Sequence, residues 1–560
     1  MPEIIECIPN FSEGRDLNVI KAITDAIEAV DGVKLLDVDP GADTNRTVVT
    51  FIGTKQGVLE GAFAGIAKAA EVIDMRKHSG AHARLGATDV CPLVPISGIT
   101  EEECVQLSHE LAKKVADELN IPVYLYEKSA QKPNRENLAD IRAGEYEGLQ
   151  EKLKDPDWKP DYGRAEFNAK SGATVMGVRE FLIAYNVNLN TSDRKLATDI
   201  ALTIREKGCL KRDKKGNIVR DENGVALRVP GLLQYTKAVG WYIDEYKMAQ
   251  VSINLTNYEV TPPHVVFEEI RRLANKKGLR VTGSEIVGLI PKEAMIMAGK
   301  YFLNAQGHSE GVPEEGLIRT AIQSLGLNDV SPFEPARKII EYQFKEFGDS
   351  LVEMTARGFA DELSTDSPAP GGGSVAALSG AMAASLTAMV ANLTHGKKGY
   401  ERHFKKMNDV AVRSQELKDE LLRFVDLDTA AFNKVMACFR LPKKTIGDKA
   451  RRQAAIQEAT RNAVNVPLQV METCVKVLEL TEVVSKYGNI NSISDVGVAA
   501  LSADTAIKGA GLNVLINLSG IDDQEFNGAM KKSVAKLRQA GQKMVRRIMN
   551  RVDKKITDMN

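Results

Sequence analysis

Near Phe347 the pattern of this sequence changes, and no single fold spans the change. Before it, short β-rich runs alternate with amphipathic stretches. Past Gly348 the strand signal disappears and long helical stretches follow. At 560 residues the chain also exceeds what one hydrophobic core can organise. The pattern predicts a multidomain chain: an α/β (α+β) half of two subdomains, 1–180 and 181–346, then an all-α half, 347–560.

In the first half, 33–39, 47–52, 122–126, 181–189 and 249–255 read as strands, 90–96 as a short apolar run, and 18–29, 58–77, 101–119 and 192–206 as helices. The stretch 155–174, rich in turn formers and aromatics, reads as the loop joining two related subdomains. Asp221-Glu-Asn-Gly224 predicts a hairpin turn on the surface. In the second half, 351–363, 374–393, 404–421, 429–439, 448–480, 494–510 and 523–557 read as helices. The second of these is mostly Ala, Ser, Gly and Met, which predicts close helix contact inside a bundle or across subunits.

Chemistry concentrates in His78-Ser-Gly-Ala-His82-Ala-Arg84-Leu-Gly-Ala-Thr-Asp89, which holds two of the chain's seven histidines. An imidazole exchanges protons near neutral pH, so proton transfer is one reading. The spacing of His78 and His82, with Asp74 one turn earlier, would also suit a helical metal pair. Ser79-Gly80 weakens a helix there and no second ligand cluster completes a shell. A third reading makes one imidazole a helix C-cap.

In the second half, Ser367-Pro-Ala-Pro-Gly371-Gly372-Gly373-Ser374 stiffens an approach, exposes backbone N–H groups and offers Ser374 as a helix cap. It matches neither phosphate-loop pattern. Asp426 and Asp428 read as the start of a helix, where one carboxylate serves as a cap and the other is left for a pocket. Tyr487-Gly-Asn-Ile-Asn-Ser-Ile-Ser-Asp495 offers polar loop groups and another cap. The basic run from Lys531 to Lys555 reads as a solvated helix face or as a track for a polyanionic tail.

A formal net charge of -1 with 43% hydrophobic residues describes an ordinary soluble chain and argues against a nucleic-acid partner. No apolar run is expected to reach a membrane span, and no secretory signal is visible at the start. Six scattered cysteines fit reduced thiols in a cytoplasmic protein.

Taken in order, Cys7–Gly14, Leu36–Asp39, Thr44–Thr47, His78–Pro92, Ile141–Glu147, Gly172–Thr174, Val239–Asp244, Ile339–Tyr342, Pro368–Ser374, the Asp426/Asp428 segment, Arg440–Lys443, Ser494-Asp495 and Asn513–Leu518 resemble the bifunctional formimidoyltransferase-cyclodeaminase family. The resemblance runs nearly end to end. It implies a transferase half whose sheets pack around a folate tunnel, moving a formimino group from N-formimino-L-glutamate to tetrahydrofolate. It also implies a helical cyclodeaminase half, an ammonia lyase, closing 5-formimino-tetrahydrofolate to 5,10-methenyl-tetrahydrofolate.

The family's acid/base histidine falls on His82 and its catalytic aspartate on Asp428. Its folate loop falls on Gly163, Arg164, Ala165, Glu166, Phe167, Asn168, Ala169, Lys170, Ser171 and Gly172. Asp39, Arg46, Arg84, Gly371, Gly372, Gly373, Ser374 and Asp495 are further candidates, with Arg46 and Arg84 as carboxylate partners of the donor. Tetrahydrofolate, polyglutamylated, is expected as cosubstrate, without metal or nucleotide, and a homo-oligomer is expected. The stretch 210–231 is longer than in shorter family members.

Overall fold

A computed structural model describes residues 3–41, 45–80, 83–243, 246–343 and 350–559. The chain divides into two compact units, Met1–Ala298 with Ile322–Glu346, and Gly299–Ala321 with Phe347–Asn560. The sequence reading had kept 299–321 with the second subdomain. In the structure, the Glu310 N–H donates to Asn408 Oδ1 of the helical unit at 2.8 Å, and Asn392 Nδ2 donates to the Gly311 carbonyl at 2.7 Å.

The first unit holds two sheets. In the larger, Ile4–Cys7 and Asn10–Phe11 lie antiparallel between Arg46–Gly53 and Thr88–Ser97, and Val33–Gly41 forms a hairpin with Arg46–Gly53. Thr88–Ser97 then pairs in parallel with Thr174–Val178, which pairs in parallel with Val123–Glu127. Helices Leu17–Glu28, Lys55–Val72 and Glu101–Leu119 cover one face, burying Ile23, Ile27, Val58, Ile66, Leu107 and Leu111 against Ile5, Cys7, Val49 and Phe51. Because side chains alternate along a strand, Glu6 and Thr50 point from the other face. The helix expected over 58–77 stops at Val72, and Met75–Lys77 forms a separate single turn begun by Asp74, whose carboxylate accepts from Arg76 N. His78, which follows that turn, is extended, so the helical setting that the four-residue histidine spacing would need is missing at His78.

The smaller sheet orders Thr236–Ile243, Met248–Leu255, Ile183–Leu189 and Val281–Val287, all antiparallel, with helices Arg194–Ile204 and Pro263–Lys276 packed against it. The 210–231 stretch is an exposed ribbon, with Cys209–Leu210 paired to Arg228–Val229 and two aspartate-led turns, at Asp213 and Asp221.

In the second unit five long helices, Gly372–Thr394, Phe404–Phe439, Ile446–Tyr487, Ile493–Asn517 and Gln524–Met559, share one core of Ala377, Ala384, Leu421, Cys474, Leu478, Ile507 and Ile548. Two sequence expectations change here. The helices expected at 404–421 and 429–439 are one continuous helix, so Asp426 and Asp428 lie inside it rather than at a start. Helix Gly372–Thr394, with a mean hydropathy of 1.6, is long and apolar enough to cross a membrane, contrary to the expectation that no run would be. Its small residues bury Gly373, Ala377, Gly380, Ala381 and Ala384 within the bundle, where small side chains permit close helix approach.

Candidate functional sites

In the first unit several separate motifs converge on the segment that carries the histidines. Asn45, at a positive φ of 49°, is the hub: its Oδ1 accepts from Gly14 N at 3.0 Å and its Nδ2 donates to the Ser79 carbonyl at 3.0 Å. Ser12 Oγ donates to the Gly86 carbonyl at 2.7 Å. His78 Nε2 lies 2.9 Å from the Asn45 carbonyl, and Arg84 Nε donates to His78 Nδ1 at 3.2 Å. A carbonyl can only accept, so Nε2 carries the ring proton and Nδ1 is the acceptor. With both nitrogens engaged, His78 is held between the Asn45 carbonyl and the Arg84 guanidinium.

Arg84 is equally committed. Its guanidinium, 8% exposed, donates to Glu145 Oε2 at 2.8 Å and to both Glu147 oxygens at 2.9 and 2.6 Å. The expected role as a carboxylate partner of a ligand is replaced by an internal one: Arg84 ties His78 to the Glu145–Glu147 turn. His82, the expected acid/base, lies outside the described residues; the residues that bracket it, His78 and Arg84, are the ones held together.

Arg46 pairs with Gly41, two positions along the strand from Asp39, and burial and then the charge of Arg142 lower its guanidinium, opposed by Asp89 and Asp39. Asp89, fully buried, pairs with Arg142 and accepts from Leu85 N at 3.0 Å. Two cations and two acids keep this set near balance, with Asp89 buried and Asp39 exposed. Sequence reasoning gave no role to Asn45, Arg142, Glu145 or Glu147, although 141–147 carried part of the resemblance.

The 163–172 loop is brought to the same place through its second half. Lys170 O accepts from Met75 N at 2.9 Å, Ser171 O from Ala87 N at 2.8 Å, and Ala169 O from Tyr146 Oη at 2.6 Å. Gly172, at φ 68°, bridges Gly86, and a Cβ there would overlap the Leu85 carbonyl. Left-handed backbone and close approach together require glycine. The first half, Gly163, Arg164, Ala165 and Glu166, is exposed, and Gly163, Arg164 and Glu166 line a cavity of about 220 Å³ with Asp117 and Asn120.

In the second unit the Gly371–Ser374 motif meets Asp428. The helix begins at Gly372 with Gly371 as its cap. Ser374, expected as the cap, sits in the first turn, and its hydroxyl donates to the Val425 carbonyl at 2.9 Å, with Asp428 Oδ2 farther off at 3.5 Å. Gly373 lies so close that a Cβ on it would overlap both Asp428 oxygens. Burial pushes the Asp428 carboxyl up, and hydrogen bonds from the Ser374 backbone and hydroxyl pull it partly back. A carboxyl poised this way can take and return a proton closer to neutrality than a free aspartate.

Asp426, two residues away, accepts from Ser350 Oγ at 2.8 Å and Leu351 N at 2.7 Å, so it fastens the preceding turn. Asp495 lies in the first turn of Ile493–Asn517, while Asn513 of that same helix stands next to Gly372. Of the basic run, Arg547 pairs with Glu482, and Arg538, Arg551 and Lys555 donate to groups of neighbouring helices. Those cations serve packing.

Comparison with known proteins accounts for this convergence of motifs. Residues 4–179 match the family described as the formiminotransferase domain, N-terminal subdomain, residues 184–345 the formiminotransferase domain, and residues 355–536 formiminotransferase-cyclodeaminase. The chain is 41% identical to the formimidoyltransferase-cyclodeaminase of Rattus norvegicus over 96% of this chain and 97% of that one. It is 44% identical to the glutamate formimidoyltransferase of Thermoplasma acidophilum, over 55% of this chain and 95% of that one. It is 45% identical to a methenyltetrahydrofolate cyclohydrolase of Methylorubrum extorquens, over 31% of this chain and 83% of that one. With both halves matched in order along nearly its whole length, this chain belongs to the formimidoyltransferase-cyclodeaminase family.

Proposed function

We propose that this bifunctional folate enzyme transfers the formimino group of N-formimino-L-glutamate to N5 of tetrahydrofolate in its first unit. In its second unit it closes 5-formimino-tetrahydrofolate to 5,10-methenyl-tetrahydrofolate and expels ammonia. This places it in histidine breakdown. The observation that carries the reading is Asp428 against Gly373 and Ser374, a half-buried carboxyl at a glycine-led helix start, on a chain matched along its length by bifunctional relatives.

In the first reaction N5 attacks the amidine carbon, giving a tetrahedral centre that must lose a proton from N5 and protonate the departing glutamate nitrogen. His82 is assigned both transfers, worth roughly 10²–10⁴ in rate, and the His78–Arg84–Glu147 group holds the segment on either side of it. In the second, N10 attacks the same carbon, and Asp428 takes the N10 proton and returns one to the departing nitrogen, which leaves as NH₃. An absorbance assay for methenyl-tetrahydrofolate, with ammonia measured in the same sample, tests both steps.

The cyclohydrolase relative favours a second reading, in which the helical unit hydrolyses 5,10-methenyl-tetrahydrofolate. Supplying 5-formimino- and 5,10-methenyl-tetrahydrofolate separately distinguishes the two, since only cyclodeamination releases ammonia.

The same reading includes a cytoplasmic homo-oligomer acting on polyglutamylated folate. Six free cysteines support a reducing compartment. Val498, Leu501, Leu512 and Ile516, each at least half exposed along one helix, support an apolar subunit contact. Light scattering at micromolar concentration tests the assembly.

A further inference from the structure

Gly373, against Asp428, stands at the start of helix Gly372–Thr394. Just past the other end of that helix, roughly 30 Å away at about 1.5 Å per residue, lies a cavity that neither proposed reaction uses. It measures about 620 Å³, well inside the roughly 300–1,000 Å³ of ligand pockets.

The cavity is built where helices of the bundle end and begin. Gly396 and Gly399, at φ 78° and 93°, turn the chain around Lys397 and Lys398. That turn is tied to the segment after helix Ile446–Tyr487: Lys397 Nζ donates to Asn489 Oδ1 at 2.8 Å, Asn489 N to Thr394 Oγ1 at 2.8 Å, and Ile490 N to Tyr400 Oη at 3.1 Å. Arg402, His403, Lys486 and Lys555 line the space with Tyr400, Tyr487 and Ile490, and no acid is among the described lining residues.

Little of this charge is cancelled from behind. Lys486 pairs with Glu482 at 3.1 Å, but Arg547 draws on the same carboxylate at 2.7 Å. Lys555 donates to the Ser485 carbonyl at 2.9 Å, a helix-end contact that supplies a dipole and not a full charge. Arg402 Nε donates to His403 Nε2 at 3.0 Å, and the rest of its guanidinium has no hydrogen-bond or ion-pair partner among the described residues. Glu401, the acid beside it, accepts from Gly399 N at 2.8 Å. The crowding acts on the groups themselves. Burial, then the charges of Arg402 and Lys406, lower the His403 imidazole, and burial, then Arg551, lower the Lys555 ammonium.

Such a lining calls for concentrated negative charge. A phosphate monoester carries about −1.5 to −2 near pH 7 on three acceptor oxygens, and a guanidinium can meet two of them at once. One carboxylate brings less charge, and a chain of carboxylates spreads its charge along a track instead of into one space. We propose that this cavity binds a phosphate ester, its phosphate on Arg402, Lys486 and Lys555 and its organic part against Tyr400, Tyr487 and Ile490. The ligand stands outside both proposed reactions.

Titration calorimetry on the full chain in low-salt buffer tests this. Pyrophosphate and adenosine 5′-phosphate are the probes, with adenosine and tri-γ-L-glutamate as controls for the ring and for carboxylate charge. At least one phosphate probe is expected to bind more tightly than either control, and Arg402→Met and Lys486→Met are each expected to weaken it by on the order of tenfold. Both side chains are exposed, so both variants are expected to fold; thermal melts check this, and Lys555→Met serves if one does not. Binding of neither phosphate probe, equal or tighter binding of a control, or wild-type affinity in the folded variants overturns the assignment.

Discussion

The Asp428 carboxylate lies against the backbone of Gly373 with no space for a side chain between them. The two residues sit on different helices, Phe404–Phe439 and Gly372–Thr394, so the start of one helix is fitted to a single acid of the other. That fit separates Asp428 from Asp426, which is spent on Ser350 and Leu351.

Asp428→Asn is expected to lower cyclodeamination by on the order of 10²-fold or more and to let 5-formimino-tetrahydrofolate accumulate, with formimino transfer unchanged. Asp426→Asn is expected to lower the melting temperature slightly and leave turnover within a few-fold. Parallel assays of the two half-reactions check both, and a reversal between the two aspartates removes the assignment.

Gly373→Ala is expected to reproduce the Asp428→Asn phenotype, because the added methyl displaces the carboxylate. Gly372→Ala meets only Asn513 at ordinary contact distance, 3.5 Å to its Nδ2, and is expected to be mild. Equal loss in the two variants would point to the backbone of the glycine run rather than to the carboxylate.

Arg84→Lys is expected to reduce formimino transfer by about tenfold while sparing cyclodeamination. A lysine ammonium cannot span Glu145, Glu147 and His78 as the planar guanidinium does. Transfer kinetics with the melting temperature held in view check this, since a purely structural effect would lower both activities together.

Much of this was legible beforehand, and the losses have physical causes. Strand and helix periods located most elements of both halves to within a few residues. The run 404–439 was divided because two aspartates resemble a helix start, and only the partners from Ser350 and Ser374 explain how they sit mid-helix. Arg84 was read as a ligand for carboxylate because its two glutamate partners lie about sixty positions away in sequence. Glu6 left no signal at all. One acid in an apolar strand shows its burial only when the neighbouring strands are in place.

Burial pushes the Glu6 carboxyl from 4.5 up to about 7, against the pull of Arg179. The folded state then holds this proton more tightly than the unfolded chain, so stability falls as pH rises from about 4.5 to about 7, by about 3 kcal/mol at most. Glu6→Gln is expected to melt higher than wild type at pH 8, with the difference shrinking toward pH 5. Thermal melts across that range check the sign, and a variant less stable at pH 8 contradicts it.

The central claim is that one chain performs both folate reactions, and the product balance tests it most directly. Wild-type protein is given N-formimino-L-glutamate and tetrahydrofolate, and methenyl-tetrahydrofolate, ammonia and glutamate are measured in one time course. The account predicts equal amounts of all three, with His82→Ala stopping glutamate release and Asp428→Asn stopping only ammonia and methenyl-tetrahydrofolate. Glutamate release without ammonia from the wild type, or ammonia release that survives Asp428→Asn, would contradict it.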